Sequence, residues 1–232
     1  MAQLVNLKMK FRIAHRSDAR ARLNGGCRCR SMIKPFHLWH ASTFQPVGGQ
    51  MGKNKGLADP SRLDPLVPKD KQLLRVVIET PKGSRNKFAF NSNDHAFELK
   101  KVLPAGMAFP YDFGFVPCTK AEDGDPIDVL VLMDEPAFPG CMLKCRPIGV
   151  IEGEQVSKGN KRKKERNDRI IAVEKDAHSW ADITTVGDLG EEFRRELEEF
   201  FVNYHKLSRE EYKVLAVKGP DRAHKLVKSG MR

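Results

Sequence analysis

Residues 107–133, MAFPYDFGFVPCTKAEDGDPIDVLVLM, constrain this chain more than any other stretch. Ile127 to Met133 is almost continuously apolar and reads as a buried strand. Just before it, and overlapping its start, runs Glu122-Asp123-Gly124-Asp125-Pro126-Ile127-Asp128. On an extended strand Asp123 and Asp125 would share one face and Asp128 would take the other. Asp-Gly and Asp-Pro pairs force a turn, and a turn about Gly124 and Pro126 can bring all three carboxylates toward one point. Gathered carboxylates repel one another and need a cation or a shared proton. Oxygen-only donors favour a hard cation, magnesium or calcium. The plainer alternative is a polar turn with solvated aspartates, since Asp and Gly are ordinary turn residues. Phe109 to Pro117, upstream, reads as an aromatic, turn-rich segment.

The chain has 232 residues, enough for one large domain or a domain with an extension. No apolar run approaches a membrane span, which predicts a soluble protein with no membrane partner. Cysteine is present five times, and the pairs Cys27/Cys29 and Cys141/Cys145 lack the spacing of a four-ligand zinc site. The expectation is reduced thiols in a cytoplasmic protein. Of the net charge of +11, residues 1–50 carry +8, from nine Lys/Arg against the single Asp18. This segment is Arg-rich, acid-poor and without periodicity, and it cannot bury enough apolar surface to offset its ordering entropy. A nucleic-acid-binding arm and a transit-peptide-like leader are both open readings of it. Met51 begins MGKNKGLADPSRLD, a plausible start in its own right. The expected organisation is a basic, disordered extension over 1–52, with a mis-assigned start as the alternative, and one domain over 53–232.

Leu73–Glu79 is the first clear strand, closed by Pro81-Lys82-Gly83. Lys87–Phe90 and Ala96–Lys100 are extended around a turn at 91–95. Cys141–Ile151 is a further strand with a bulge or edge at Pro147, because proline cannot donate to the ladder. Residues 158–169 read as a charged loop, and Ile170–Val173 as a short buried strand. Leu189, Phe193, Leu197, Phe200, Phe201 and Tyr204 share one helical face, with Asp188 as the cap. Tyr212–Val217 is a strand, and Gly219-Pro220-Asp221 opens a last helix with proline in its first turn. Many short strands followed by an amphipathic helix, a strand and a helix predict an α+β fold, a small closed barrel flanked by helices.

DGDPIDVLVL at 123–132, with VVIETP at 76–81, PG then CRPIGV across 139–150, RIIAV at 169–173 and FFVNYHKL at 200–207, resembles the soluble family I inorganic pyrophosphatases. The five segments occur in the family's order from Leu73 to the C-terminus. The resemblance implies a five-stranded OB-like β-barrel with flanking helices, a homo-oligomer, and magnesium-dependent hydrolysis of inorganic diphosphate to two orthophosphates. Asp123 and Asp128 match metal ligands, and Asp125 matches the carboxylate that assists deprotonation of the attacking water. Glu79 matches an acidic residue at the rim of the site, taken with Asp168 into the metal set. Lys87 and Tyr204 match phosphate-binding residues, and Lys101 and Arg169 occupy further substrate positions.

Several residues depart from the family pattern. Lys101 stands where an arginine is usual, which keeps the charge and loses the bidentate fork. Arg169 and His205 stand where lysines are usual, Phe113 replaces a tyrosine, and Ala89 sits where a carboxylate would hold another metal. Asn167 occupies the place of a metal-binding aspartate with Asp168 beside it, and Glu152 or Glu154 is a candidate replacement. Read singly, Lys87, Lys101 and Glu79 would be solvated strand residues and Phe113 a core aromatic. Two other functions fit parts of the sequence: an OB-like module that binds phosphate or nucleic acid without turnover, and a catalytically weakened relative. Clustered aspartates repel a phosphate backbone, so nucleic acid is not the expected partner.

Overall fold

The computed structural model describes residues 59–156 and 164–232, all within one compact unit, Gly52–Arg232. The expectations for the extension at 1–52 fall outside the described residues, as does most of the basic run before Lys164.

Among the described residues ten strands, two α-helices and two short 3-10 turns make a mixed, sheet-dominated α+β fold. The strands are β1 (Leu66–Val67), β2 (Asp70–Thr80), β3 (Asn86–Asn91), β4 (Ala96–Val102), β5 (Asp112–Val116), β6 (Ile127–Leu132), β7 (Met142–Val156), β8 (Lys164–Arg166), β9 (Arg169–Glu174) and β10 (Glu211–Lys218). The helices are α1 (Gly190–Leu207) and α2 (Pro220–Gly230). β3 and β4 form a separate antiparallel hairpin. In the main sheet β2 pairs with β5, β5 with β6, β6 with β9, β9 with β7, and β7 returns to β2. Backbone hydrogen bonds thus close a ring of five strands, in which β6–β9 is the one parallel pair.

The period-2 alternation of these strands feeds two cores. Ile127, Val129 and Val131 of β6 and Ile170 and Ala172 of β9 join a cluster to which β2, β5 and β7 also contribute Leu74, Val76, Ile78, Val116, Cys145 and Val150. Ala223 and Val227 of α2 pack into the same cluster. Leu130, Leu132, Ile171 and Val173 face the other way and pack with Leu197 and Phe201 of α1. Burial on both faces is why β6 and β9 carry continuous apolar runs rather than alternating ones.

Three local features differ from the sequence reading. Phe109–Pro117 contains the strand β5, all five residues of which are buried. Its aromatic, Gly- and Pro-flanked composition resembles a turn, yet Gly114 lies so close to β2 that an added Cβ would sit 2.0 Å from the Val77 carbonyl oxygen. The charged segment before Arg169 is not all loop, because β8 extends the ladder of β7 with Glu154 opposite Arg166. Asp188 caps the 3-10 turn Val186–Leu189, whose capping box it forms with Thr185, and not α1 directly. Pro147 falls at the start of the predicted irregularity, where the β7–β9 register shifts between Pro147 and Gly149.

Candidate active site

The turn before β6 is held from both ends. The Thr119 hydroxyl donates to the Val116 carbonyl at 2.6 Å and accepts the Ile127 N–H at 3.1 Å. Ala121 N–H donates to the Asp125 carbonyl at 2.7 Å, and Gly124 takes a φ of +98°, open to glycine and strained for most side chains. The Asp125 N–H donates to Asp123 Oδ1 at 3.1 Å. This fold of the chain turns Asp123, Asp125 and Asp128 into one cleft of about 1130 Å³. Asp128, near the start of β6, lies in register with Phe115 of β5 and Arg169 of β9.

The same cleft is lined by Glu79, Lys87, Lys101, Arg169 and Tyr204. Its floor is aromatic. Lys87 Nζ lies 4.1 Å from the centroid of the Phe113 ring and ion-pairs with Glu79 Oε2 at 3.0 Å. The other Glu79 oxygen accepts the Phe90 N–H at 2.8 Å. Lys101 Nζ sits 3.7 Å above the Tyr204 ring and donates to Ser208 Oγ at 3.0 Å. Arg169 is 3% exposed, with its guanidinium 4.3 Å from the Phe201 centroid and 4.7 Å from that of Tyr212. Such cation–π contacts hold a charge in place without neutralising it.

Burial pushes the Asp128 carboxyl up to about 6; Arg169 and Lys87 oppose the shift, and Glu79 and Asp123 add to it. Burial also raises Asp123, with repulsion from Asp125 contributing. Burial holds the Tyr204 hydroxyl protonated well above its ordinary range, so it acts as a donor. Burial likewise depresses Lys101, helped by the nearby charge of Lys87.

Of the residues singled out in the sequence, Asp168 is not brought to this cleft. Its Oδ1 accepts the Gly153 N–H at 3.0 Å, and its carboxylate pairs with Arg166 at 2.9 Å and lies 3.9 Å from Arg222. Adjacent residues in extended chain face opposite ways, so Asn167 lines the cleft where Asp168 does not. Glu152 pairs with Arg222 at 2.7 Å and Glu154 with Lys164 at 2.9 Å, and neither lines the cleft. Ala89 lines it without a carboxylate. The sequence reading missed the aromatic beds Phe201 and Tyr212, and it missed Glu210, whose carboxylate lies 3.1 Å from His205 Nδ1.

Among the described residues no three His, Cys, Asp or Glu side chains converge closely enough to enclose a metal by themselves. The donor set still fits a hard divalent cation. Its donors are carboxylate oxygens, and burial, with repulsion from neighbouring carboxylates, holds Asp123 and Asp128 above the usual carboxylate range, which a cation would relieve. A small hard cation bound by one or two carboxylates, with water and substrate oxygens completing its shell, needs no closed protein cage.

A family model described as inorganic pyrophosphatase matches residues 76–232. An inorganic pyrophosphatase of Synechocystis sp. is 37% identical over 155 residues, covering 67% of this chain and 88% of that protein. One from Leifsonia xyli is 39% identical over 158 residues, covering 67% of this chain and 91% of its own length. The crystal structure of the inorganic pyrophosphatase from Thermus thermophilus superposes with a TM-score of 0.68 at 30% identity, over 75% of this chain and 97% of that one.

Proposed function

We propose that this chain, which belongs to the inorganic pyrophosphatase family, hydrolyses inorganic diphosphate to two orthophosphates with magnesium held at the Asp123–Asp128 turn. The observation that carries the reading is the single cleft in which three aspartates meet Lys87, Lys101, Arg169 and Tyr204. Family membership implies a divalent metal cofactor, and Asp123 and Asp128 are the carboxylates that would hold it. Glu79 holds Lys87 and keeps lone pairs free to share at the rim. Magnesium, when bound, neutralises the diphosphate and makes an attacking water more acidic.

The chain's own residues supply the rest. Asp125 stands at the mouth of the turn with its carboxylate free to accept a proton from water. Lys87, Lys101 and Arg169 meet the phosphate oxygens, and Tyr204 donates its hydroxyl to one of them. Their aromatic beds fix them before substrate arrives, and phosphoryl transfer is catalysed largely by such positioning and charge stabilisation. Asp168 takes no part in the ligand set proposed, because its carboxylate already serves Arg166 and the Gly153 N–H.

We read the closed ring β2–β5–β6–β9–β7 as the OB-like barrel, supported by its cyclic pairing and by one cluster to which all five strands contribute. Cytoplasmic residence suits the free thiols Cys118, Cys141 and Cys145. The reading extends to a homo-oligomer, and sedimentation of the purified protein as a single protomer would overturn that part. The main test is phosphate release from diphosphate by the purified protein, with magnesium and with a chelator. Release that requires magnesium and disappears in Asp125→Asn is the expected result. Tight diphosphate binding with no turnover under any metal would replace the enzyme with a binding protein.

A further inference from the structure

His205 lies outside every role assigned so far, yet it is 4% exposed and touches the phosphate-binding set. Its Nε2 is 3.0 Å from Arg169 Nη2, and its Nδ1 is 3.1 Å from Glu210 Oε2. A guanidinium has only donors, so Nε2 must be the accepting nitrogen. The ring proton then sits on Nδ1 and goes to the Glu210 carboxylate. The imidazole is stacked on Tyr212, centroids 4.8 Å apart and 11° from parallel, and the same Tyr212 ring carries the Arg169 guanidinium. Tyr212 in turn donates its hydroxyl to the Asn167 carbonyl at 3.1 Å, and that carbonyl accepts Arg169 Nη1 at 3.3 Å. Two arms of the guanidinium are thereby tied, and two rings, Phe201 and Tyr212, pack against it. Arg169 Nε keeps no hydrogen-bond partner; its nearest carboxylate oxygen, Asp128 Oδ2, is 3.7 Å away.

We propose that His205 and Glu210 form a positioning pair that holds the Arg169 guanidinium, through the neutral imidazole's Nε2, with its remaining N–H donors turned to the substrate phosphate. This rests on the reading of Arg169 as a phosphate ligand. A guanidinium with a free side chain could fall back on the carboxylates beside it; this one is tied at 3.7 Å from Asp128, outside hydrogen-bond range, which leaves donors for an incoming anion. The imidazole must stay uncharged to accept, and burial, with Arg169 and Lys101 beside it, depresses it to about 3. His205 therefore acts as a fixed acceptor and not as a proton carrier. Lysine at position 205 would set a second cation against Arg169, so arginine at 169 and histidine at 205 work as a matched pair.

The test compares His205→Leu, His205→Gln, Glu210→Ala and Arg169→Leu with the unaltered protein. The readouts are diphosphate KM and kcat, calorimetric binding of methylenediphosphonate with magnesium, and melting temperature. Loss of one hydrogen bond to a charged group is worth roughly ten- to hundredfold in binding. His205→Leu should therefore raise KM and the methylenediphosphonate Kd by that factor, with a smaller change in kcat. His205→Gln, whose amide oxygen can accept in place of Nε2, should bring both back to within about threefold and leave the pH profile of kcat/KM unchanged. Glu210→Ala, at a half-exposed carboxylate, should raise KM several-fold and carries the test if His205→Leu does not fold. Binding by a folded His205→Leu equal to that of the unaltered protein, equal losses in Leu and Gln, or a pH profile displaced in His205→Gln would each overturn the pair. If Arg169→Leu itself leaves methylenediphosphonate binding intact, the failure lies with the phosphate-ligand reading; an effect at Arg169 with none at His205 and Glu210 fails this inference alone.

Discussion

Asp123, Asp125 and Asp128 hang from one turn and the strand behind it, short side chains gathered in one cleft. Lys87, Lys101 and Arg169 come from three separate strands, and each lies within 4.7 Å of an aromatic ring centroid while a second contact ties its head. The two sets are poised by opposite means. Burial, with repulsion from neighbouring carboxylates, raises the Asp123 and Asp128 carboxyls, a strain that a bound cation would relieve. The cationic set is held in the protein alone, Lys87 by Phe113 and Glu79, and Lys101 and Arg169 by rings of α1. On the function proposed, such a site keeps its substrate half rigid and leaves its metal half to be assembled from solution.

The largest expected effect breaks the acidic set at its chemical member. Asp125→Asn removes the proposed proton acceptor and should cost about two to four orders of magnitude in turnover. Metal binding and melting temperature should stay close to those of the unaltered protein, because Asp125 contributes its backbone and not its side chain to the turn. Turnover within threefold of normal would show that the proton goes elsewhere.

Asp128→Asn comes next and strikes a proposed metal ligand. A neutral amide is a poorer ligand for a hard cation, so the magnesium concentration needed for half-maximal rate should rise by an order of magnitude or more. The metal-free protein should remain folded and melt no lower, since a carboxylate pushed up to about 6 by burial is a strained charge at neutral pH. A magnesium titration of turnover and a melting curve in chelator check the two halves separately, and an unchanged titration would remove Asp128 from the ligand set.

The acidic set was legible in the sequence because its three members share one turn, where residue chemistry and spacing say most of what matters. The cationic set was legible only as scattered lysines and one arginine that match family positions. What holds them, Phe113, Phe201, Tyr204 and Tyr212, is dispersed over 100 positions, and no local pattern links a lysine on β4 to a ring on α1. Glu210 lies past the end of α1 and reaches back to His205 only because the chain turns at Ser208 and Arg209, where Arg209 takes a φ of +59°. The choice between Asn167 and Asp168 was equally invisible, since it depends on which face of the chain meets the cleft. In the fold, β2, β6, β9 and β10 announced themselves by apolar runs. β5 did not, because a strand built of Asp, Phe and Gly is made possible by the close approach of β2 and not by its own propensity.

A third prediction uses the opposite titration of His205 and Asp128. His205 is depressed to about 3 in the folded protein against an ordinary value near 6.5. The unfolded chain therefore binds more protons between those values, so this histidine's contribution is full above about pH 6.5 and is lost as pH falls toward 3. Asp128, raised to about 6, works in the other direction, and its contribution to the metal-free protein is lost as pH rises from about 4 through 6. His205→Gln should flatten the acid-side fall in melting temperature between about pH 6.5 and 4, measured in chelator. An acid limb as steep as in the unaltered protein would mean that His205 is not buried neutral.

The smallest effect is expected at Lys101, the cation with the least enclosed seat. Its ammonium lies over the face of Tyr204 and donates to Ser208, a contact open to solvent. Arginine could occupy the same seat, because a guanidinium stacks on an aromatic ring as readily as an ammonium sits above it. It would add a planar fork able to meet two phosphate oxygens at once. Lys101→Arg should therefore fold normally and leave KM for diphosphate equal or lowered by up to about tenfold, on the order of one hydrogen bond to a charged group. Turnover should change less than KM, since the change adds to binding and leaves Asp125 and its water untouched. If Lys101→Arg abolishes turnover in a protein that still melts normally, Lys101 does something that a fork cannot. The seat on Tyr204 would then hold a compact ammonium for a reason other than phosphate binding, and Lys101 would leave the cationic set.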